Sequence, residues 1–373
     1  MINGISGASF SYQLPESQVE RPEGFQGTAK DSFVRDDGQE LQKEQSFREM
    51  GELFLSKKKK HKHPQQNPVP QNPQDSQQPS QVKLPKTSEG LNDGDIFMFP
   101  DREGYKTDFL GVDYALPTLG ESIKDKAAYR TDKPGECVLD YTHFSLVMNQ
   151  ERKQCFYTAV NIDGTQGKSI ARQGNWVIDG RIPREAQLGD EAYSANSLDR
   201  GHMVRRRDAA WGYDAKVGSS DTFCYTNAAM QCSGLNQKEW LALENHVLGS
   251  AQGQKMTVLT GPVFSDKDRT FTNHGQIKNP TQIPEKFWKM VVWQDDKSGE
   301  LKGAAFVLSQ SDILDRSHDL FQGGFKPGKF EVYQVPIDQL EQMTDLHFAP
   351  CQDITGEAVK LTAVDNYTPT GLR

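Results

Sequence analysis

Apolar positions are spread unevenly along the chain, and their pattern divides it in two. From about Asp95 onward, short apolar runs bounded by Gly, Pro and Asp recur almost to the end. His143–Met148 and Cys155–Val160 read as strands joined by the polar turn Asn149–Lys153, a hairpin pattern. Met256–Thr260, Lys289–Trp293, Ala304–Leu308 and Phe330–Val335 read as further strands, and Trp176–Ile178 as a short one. Leu235, Trp240, Leu243 and Val247 recur near helical spacing, which predicts a helix from Asn236 to about Ser250, with Gly249 at its close. Hairpins around one strong helix indicate an α+β class rather than alternating βαβ units. The Gly-rich GGFKPG at Gly323–Gly328 lacks the strand–turn–helix setting of a phosphate loop and reads as a turn.

Residues 1–92 have a different texture. Twelve of the nineteen residues from Pro64 to Val82 are Pro or Gln, which leaves almost nothing to bury and predicts a disordered leader. Ahead of that tract, Lys57–Lys60 with His61, Lys62 and His63 form a basic block, a phosphate-touching element or simply a solvated piece of linker. Gln39–Leu55 has some helical spacing but too few apolar positions for a domain of its own. The division expected is therefore a Gln/Pro-rich leader over 1–92 and a folded domain over 93–373.

Composition narrows the classes. No apolar run approaches the ~18 residues that a membrane helix needs, so no membrane span is expected. Met1–Tyr12 lacks the basic and apolar regions of a secretory signal, and Glu16 and Glu20 are unlike a transit peptide. This reading implies a cytoplasmic protein or one exported by a specialised bacterial secretion system. The five cysteines form no C-x-x-C pair, so neither a disulfide framework nor a zinc ribbon is expected, though a Cys224–Cys232 bridge stays open. The leader carries twelve charges of each sign, so the formal net charge of −8 falls on the rest of the chain. A polyanion-binding protein usually has a basic footprint. If nucleic acid is the substrate, cations must be gathered locally and a metal must supply the remainder.

Two segments gather such groups. The first is Leu198-Asp199-Arg200-Gly201-His202-Met203-Val204, followed by Arg205, Arg206 and Arg207. The second is Leu235-Asn236-Gln237-Lys238-Glu239-Trp240-Leu241-Ala242-Leu243-Glu244, where Asn236, Trp240 and Glu244 fall on one helical stripe. Phosphodiester cleavage needs a base for water, a cation at the phosphate and a stabiliser for the leaving group. A histidine, hard oxygen ligands and clustered arginines supply them.

DRGH at 199–202, TN at 226–227 and LNQKEWLALE at 235–244 resemble the DNA/RNA non-specific endonuclease family, which includes endonuclease G-like enzymes. DYTHFSLVMN at 140–149, TAVNIDG at 158–164, TGPVF at 260–264 and IPEKFWKMVVW at 283–293 extend the resemblance over roughly Asp95–Arg373. It implies the ββα-metal (His-Me finger) fold, a central antiparallel sheet flanked by helices. It also implies Mg²⁺-dependent cleavage of DNA and RNA, with Mn²⁺ tolerated. By position in these motifs, His202 matches the general base, Asn236 the one direct protein ligand to Mg²⁺, and Glu244 a carboxylate that holds the metal's waters. Arg200 matches the arginine beside the scissile phosphate. A second, upstream arginine is either Arg181 or Arg172, with Arg181 preferred. Arg205, Arg206 and Arg207, with Arg172, are candidates for tracking the substrate backbone, although at least one of the triplet is expected to be a solvated charge. Two departures, Met230 in place of a frequent Pro and Thr344-Asp345-Leu346 in place of T-G-L, are expected to alter turns only. His143 and Trp240 are expected to be structural.

A rival reading is a catalytically inactive nucleic-acid-binding or regulatory protein of the same fold. Intact His202, Asn236, Glu244 and Arg200 weigh against it. An unrestrained nuclease would damage its host, so an inhibitor or immunity protein, or a secretion chaperone, is an expected partner. An effector or a defence toxin fits such an arrangement.

Overall fold

The computed structural model describes residues 87–361 except 89, 173, 234–240, 252 and 311–330. In chain order its main strands are β1 (Val138–Asp140), β2 (Phe144–Asn149), β3 (Gln154–Asp163), β4 (Leu198–His202), β5 (Ala228–Cys232), β6 (Lys255–Val263), β7 (Lys286–Gln294), β8 (Leu301–Ser309), β9 (Glu331–Val335) and β10 (Val359–Leu361). The described helices are α1 (Ala215–Asp221), α2 (Leu241–Ser250) and α3 (Ile337–Thr344). Each of the longer strands expected from the apolar runs is present, whereas the short one expected at Trp176–Ile178 appears as Ile178–Asp179. The polar Asn149–Lys153 segment joins β2 to β3, and β3 and β6–β8 extend well beyond the apolar cores that announced them.

Eight of these strands form a central antiparallel sheet in the order β10-β9-β8-β7-β6-β3-β2-β1, and the short strand Gln352–Asp353 pairs with β8 in parallel. All ten residues of β3 are buried. Both faces of the sheet are covered, which is why its strands read as continuous apolar runs rather than alternating ones. One face packs Leu146, Val160, Val258 and Val291 against Leu243 and Val247 of α2, which are one helical turn apart. The other packs Tyr157, Leu259, Trp288 and Met290 against Leu340 of α3. The class is α+β with a large antiparallel sheet, as the pattern predicted. Helices α1 and α3 were not anticipated, although Ile337, Leu340 and Met343 of α3 recur at helical spacing and pack on the sheet.

Strands β4 and β5 form a separate antiparallel hairpin in which Arg200 lies opposite Met230 and His202 opposite Ala228. Two buried glutamines fasten it to the sheet region. The Met230 amide donates to Gln154 Oε1 at 3.0 Å and the Cys232 amide to Gln310 Oε1 at 2.9 Å. Met230 was expected in a turn and is instead buried in mid-strand, using an N–H that proline lacks. Thr344-Asp345-Leu346 does form a turn: Asp345 ends α3 with φ 53°, in the left-handed region. Ser88, ahead of the boundary expected at 92/93, is buried, its hydroxyl 3.0 Å from that of Ser220. Residues 1–86, Gly323–Gly328, Asn236 and Trp240 lie outside the described residues.

Candidate active site

Alternation along β4 puts Arg200 and His202 on one face of the hairpin, with Asp199 and Gly201 on the other. Gly201 is required by a close approach: a Cβ there would lie 2.1 Å from Gln231 Oε1 and 2.3 Å from its Cδ. Beyond His202 the chain is pinned by Asn227. Its side chain accepts from the Val204 amide at 2.8 Å and donates to the carbonyls of Val204 and Thr222, both at 2.9 Å. Its carbonyl accepts from the Met203 amide at 2.9 Å. Asn227 of the TN pair is therefore the clamp that holds the end of DRGH.

The His202 ring sits against two aromatics, 4.7 Å from Trp176 and 5.0 Å, edge-on, from Phe223. Burial, followed by the charges of Arg172, Arg206 and Arg205, pushes its pKa down to about 3. The imidazole is thereby neutral at physiological pH, and its Nε2 has no hydrogen-bond partner. Arg172 is exposed, and its guanidinium stands 5.4 Å above the same Phe223 ring that His202 touches.

Arg200 projects over three buried rings, 5.9 Å from Trp176, 5.8 Å from Tyr193 and 5.6 Å from Tyr225. It pairs with Asp190, the first residue of a short 3-10 turn. The other candidate cations differ. Arg205 is buried rather than lying on a solvated basic face: its Nε is 3.8 Å from Glu244 Oε2, and its NH1 donates to Asn245 Oδ1 at 2.8 Å. Arg206 is half-buried and donates to the Ile170 carbonyl at 2.7 Å; Arg207 is half-buried as well. Arg181, preferred from sequence as the upstream arginine, is committed elsewhere. It donates twice to Asp179, at 3.0 and 2.7 Å, and once to the Asp140 carbonyl at 2.7 Å, leaving its side chain 3% exposed. Of the two upstream candidates, Arg172 rather than Arg181 lies near His202.

Glu244, on α2, is buried between two cations, Arg205 and Lys289, whose Nζ is 3.9 Å from Oε1 and donates to Thr260 Oγ1 at 2.9 Å. Burial lowers the Lys289 pKa, opposed first by Glu244 and then by Asp208. A carboxylate held by cations is an anchored hard-oxygen group, of a kind that suits Mg²⁺ and its waters. Among the described residues no group of three or more His, Cys, Asp or Glu is placed to hold a metal. Asn236, the expected direct ligand, is outside them. His143 is structural: its ring stacks on Trp211 at 3.6 Å, and its Nδ1 is 2.9 Å from the Ala209 carbonyl. The five cysteines are free thiols, so Cys224 and Cys232 are not bridged. No described helix is long and apolar enough to cross a membrane. Sequence reasoning missed Phe223, Tyr193, Tyr225 and Lys289. The aromatics flank DRGH within about two dozen residues on either side, but no periodicity marks them as the seat of a histidine.

The family model described as DNA/RNA non-specific endonuclease matches residues 124–353, more than half of the chain. An uncharacterized protein of Sinorhizobium fredii is 38% identical over 271 residues, covering 67% of this chain and 39% of the relative. The mitochondrial Nuclease 1 of Schizosaccharomyces pombe is 31% identical, covering 54% and 62%. Human mitochondrial endonuclease G is 26% identical, covering 53% and 63%. The chain therefore spans less than two thirds of the length of each of these curated relatives. A chain in the crystal structure of the EndoG/EndoGI complex aligns at a TM-score of 0.44 and 20% identity, covering 58% of this chain and 87% of that one.

Proposed function

Because the chain belongs to the DNA/RNA non-specific endonuclease family, we propose that it hydrolyses phosphodiester bonds of DNA and RNA, with His202 as general base. The observation that carries this reading is a neutral histidine with an unpartnered Nε2, seated on Trp176 and Phe223 and ringed by arginines. Nε2 takes the proton from a water that attacks phosphorus in line, and the 3′ oxygen departs to leave a 5′-phosphate. Arg200, and Arg172 as the upstream arginine, stabilise the added negative charge on the phosphate. Asn236 is the residue that would hold a Mg²⁺ ion directly, with Glu244 holding its waters. That ion would neutralise charge at the phosphate, a task Mn²⁺ would also perform. The half-buried Arg206 and Arg207 are left to track the backbone. Contacts directed at phosphate carry no base identity, so both sugars and both strandedness classes are accepted. A restraining partner or an export route belongs to the same reading, as expected for an effector or a defence toxin.

The test is incubation of the purified full chain with plasmid DNA and with RNA, in Mg²⁺, Mn²⁺ or EDTA. Cleavage of both substrates, arrested by EDTA, is expected. Cleavage that persists in EDTA refutes the metal assignment. Binding without cleavage in Mg²⁺ identifies an inactive nucleic-acid-binding protein instead.

A further inference from the structure

Among the described residues, the buried arginines Arg102, Arg152 and Arg181 each pair with a carboxylate whose side chain is fully buried. Arg200 differs from these three, as does Arg130, whose partner Asp132 has a side chain 33% exposed. The Arg200 side chain is 15% exposed, but that of its partner Asp190 is 57% exposed. An ion pair with so exposed a member is weak and readily exchanged. Three further donors belong to Arg200 and the tyrosines beneath it: Arg200 Nε and the hydroxyls of Tyr193 and Tyr225 are all buried and donate to no acceptor, the Tyr225 oxygen being turned toward Arg200 itself. After burial itself, the Arg200 charge is the strongest influence on both phenols. Both remain protonated and therefore able to donate, since burial raises their pKa values, that of Tyr225 to about 12. Buried donors left unmatched are uncommon in a folded protein. Several of them around one guanidinium describe a place built for oxygens that arrive with a ligand.

We infer that Arg200, Tyr193 and Tyr225 form a subsite for one backbone phosphate of the substrate, with Asp190 occupying the outer edge of the guanidinium until that phosphate displaces it. The inference rests on the nuclease reading above and extends it by assigning two tyrosine hydroxyls and one carboxylate that the family motifs do not include. The phosphate oxygens accept from Arg200 Nε and from both hydroxyls, replacing a single exposed carboxylate contact by several charge-assisted bonds.

The test measures the affinity of a fluorescent oligonucleotide for the full-length chain carrying His202→Ala, in Mg²⁺, alongside the same chain with Tyr193→Phe, Tyr225→Phe or Asp190→Asn. Each Tyr→Phe change should weaken binding about 10-fold or more, as expected for loss of a hydrogen bond to a charged group. The Tm of Tyr193→Phe should hold or rise, because that hydroxyl has no partner in the free protein. Asp190→Asn should tighten binding about 2- to 5-fold, the range of a surface ion pair. Tyr→Phe variants that bind within twofold of the parent overturn the subsite, as does loss of Tm along with affinity in Tyr193→Phe. Weaker binding by Asp190→Asn overturns the displaced carboxylate. A parent chain that binds no nucleic acid overturns the nuclease reading together with the subsite, whereas a parent that binds while the variants match it overturns the subsite alone.

Discussion

Arg181 and Arg200 are built alike and end in opposite states. Each guanidinium lies over aromatic rings, Phe99 and Tyr141 for Arg181, and Trp176, Tyr193 and Tyr225 for Arg200. Around Arg181 the account is closed: Asp179 is fully buried and takes two bonds, and the Asp140 carbonyl takes the third nitrogen. Around Arg200 it is open, with an exposed carboxylate on one side and an unpartnered Nε on the other. An arginine over aromatic rings is therefore no guide to function by itself. Buried groups still lacking partners are the better guide where they cluster, and among the described residues half of such atoms lie on the β4–β5 hairpin and its neighbours: Arg200 Nε, His202 Nε2, the Tyr193 and Tyr225 hydroxyls and both polar atoms of the Gln231 amide.

This contrast is broken or sharpened by three substitutions. In the open region, His202→Ala should reduce kcat at least ~10²-fold and up to ~10⁴-fold, the usual worth of positioned proton transfer. Thermal stability and DNA affinity should persist, because Nε2 bonds nothing in the fold and binding rests on the arginines and the metal. Turnover within a few-fold of the parent would remove His202 as the base, and collapse of affinity along with turnover would make it structural. In the closed region, Arg181→Met should cost stability instead, about 3–5 kcal/mol, since it strands the buried Asp179 carboxylate. Chemical denaturation measures this. A stable variant with a specific loss of kcat would return Arg181 to the site and reverse the comparison.

The smallest effect is on pH. His202 is held down to about 3 by burial and then by Arg172, so as a base it stays active far below the ordinary imidazole value of ~6.5. Arg172→Met should move the acid limb of kcat/KM upward toward that value, and an unmoved limb would separate Arg172 from His202. The same shift has a stability counterpart with a definite sign. A histidine whose folded pKa lies below its unfolded one contributes stability above ~6.5 and loses it as pH falls toward 3. The Ala variant should lack that component of acid sensitivity.

The central sheet was legible because its strands are covered on both faces and so appear as uninterrupted apolar runs such as Met256–Thr260 and Lys289–Trp293. Strand β4 was not, because Leu-Asp-Arg-Gly-His carries no apolar alternation and exists by pairing with residues some thirty positions away. The same separation hid the seat of His202: Trp176 was visible as a short strand, but nothing along the chain links it to Phe223. Among the arginines, spacing alone could not distinguish one that meets a buried carboxylate from one that meets solvent. The burial of Arg181 and Arg205 against carboxylates was not legible for that reason, whereas the identity of His202 as the candidate base came from its motif.

The Gln154–Met230 bond has a consequence for the chain's variation over evolutionary time. Met230 is opposite Arg200, but its N–H is directed away from β4 to Gln154, so proline there would leave the hairpin ladder intact and delete only the N–H that Gln154 receives. The Gln154 oxygen would then be stranded in a fully buried place. Positions 154 and 230 should accordingly change as a couple. Homologues that carry proline at 230 are expected to have released glutamine at 154, and those that retain an N–H at 230 to have kept it.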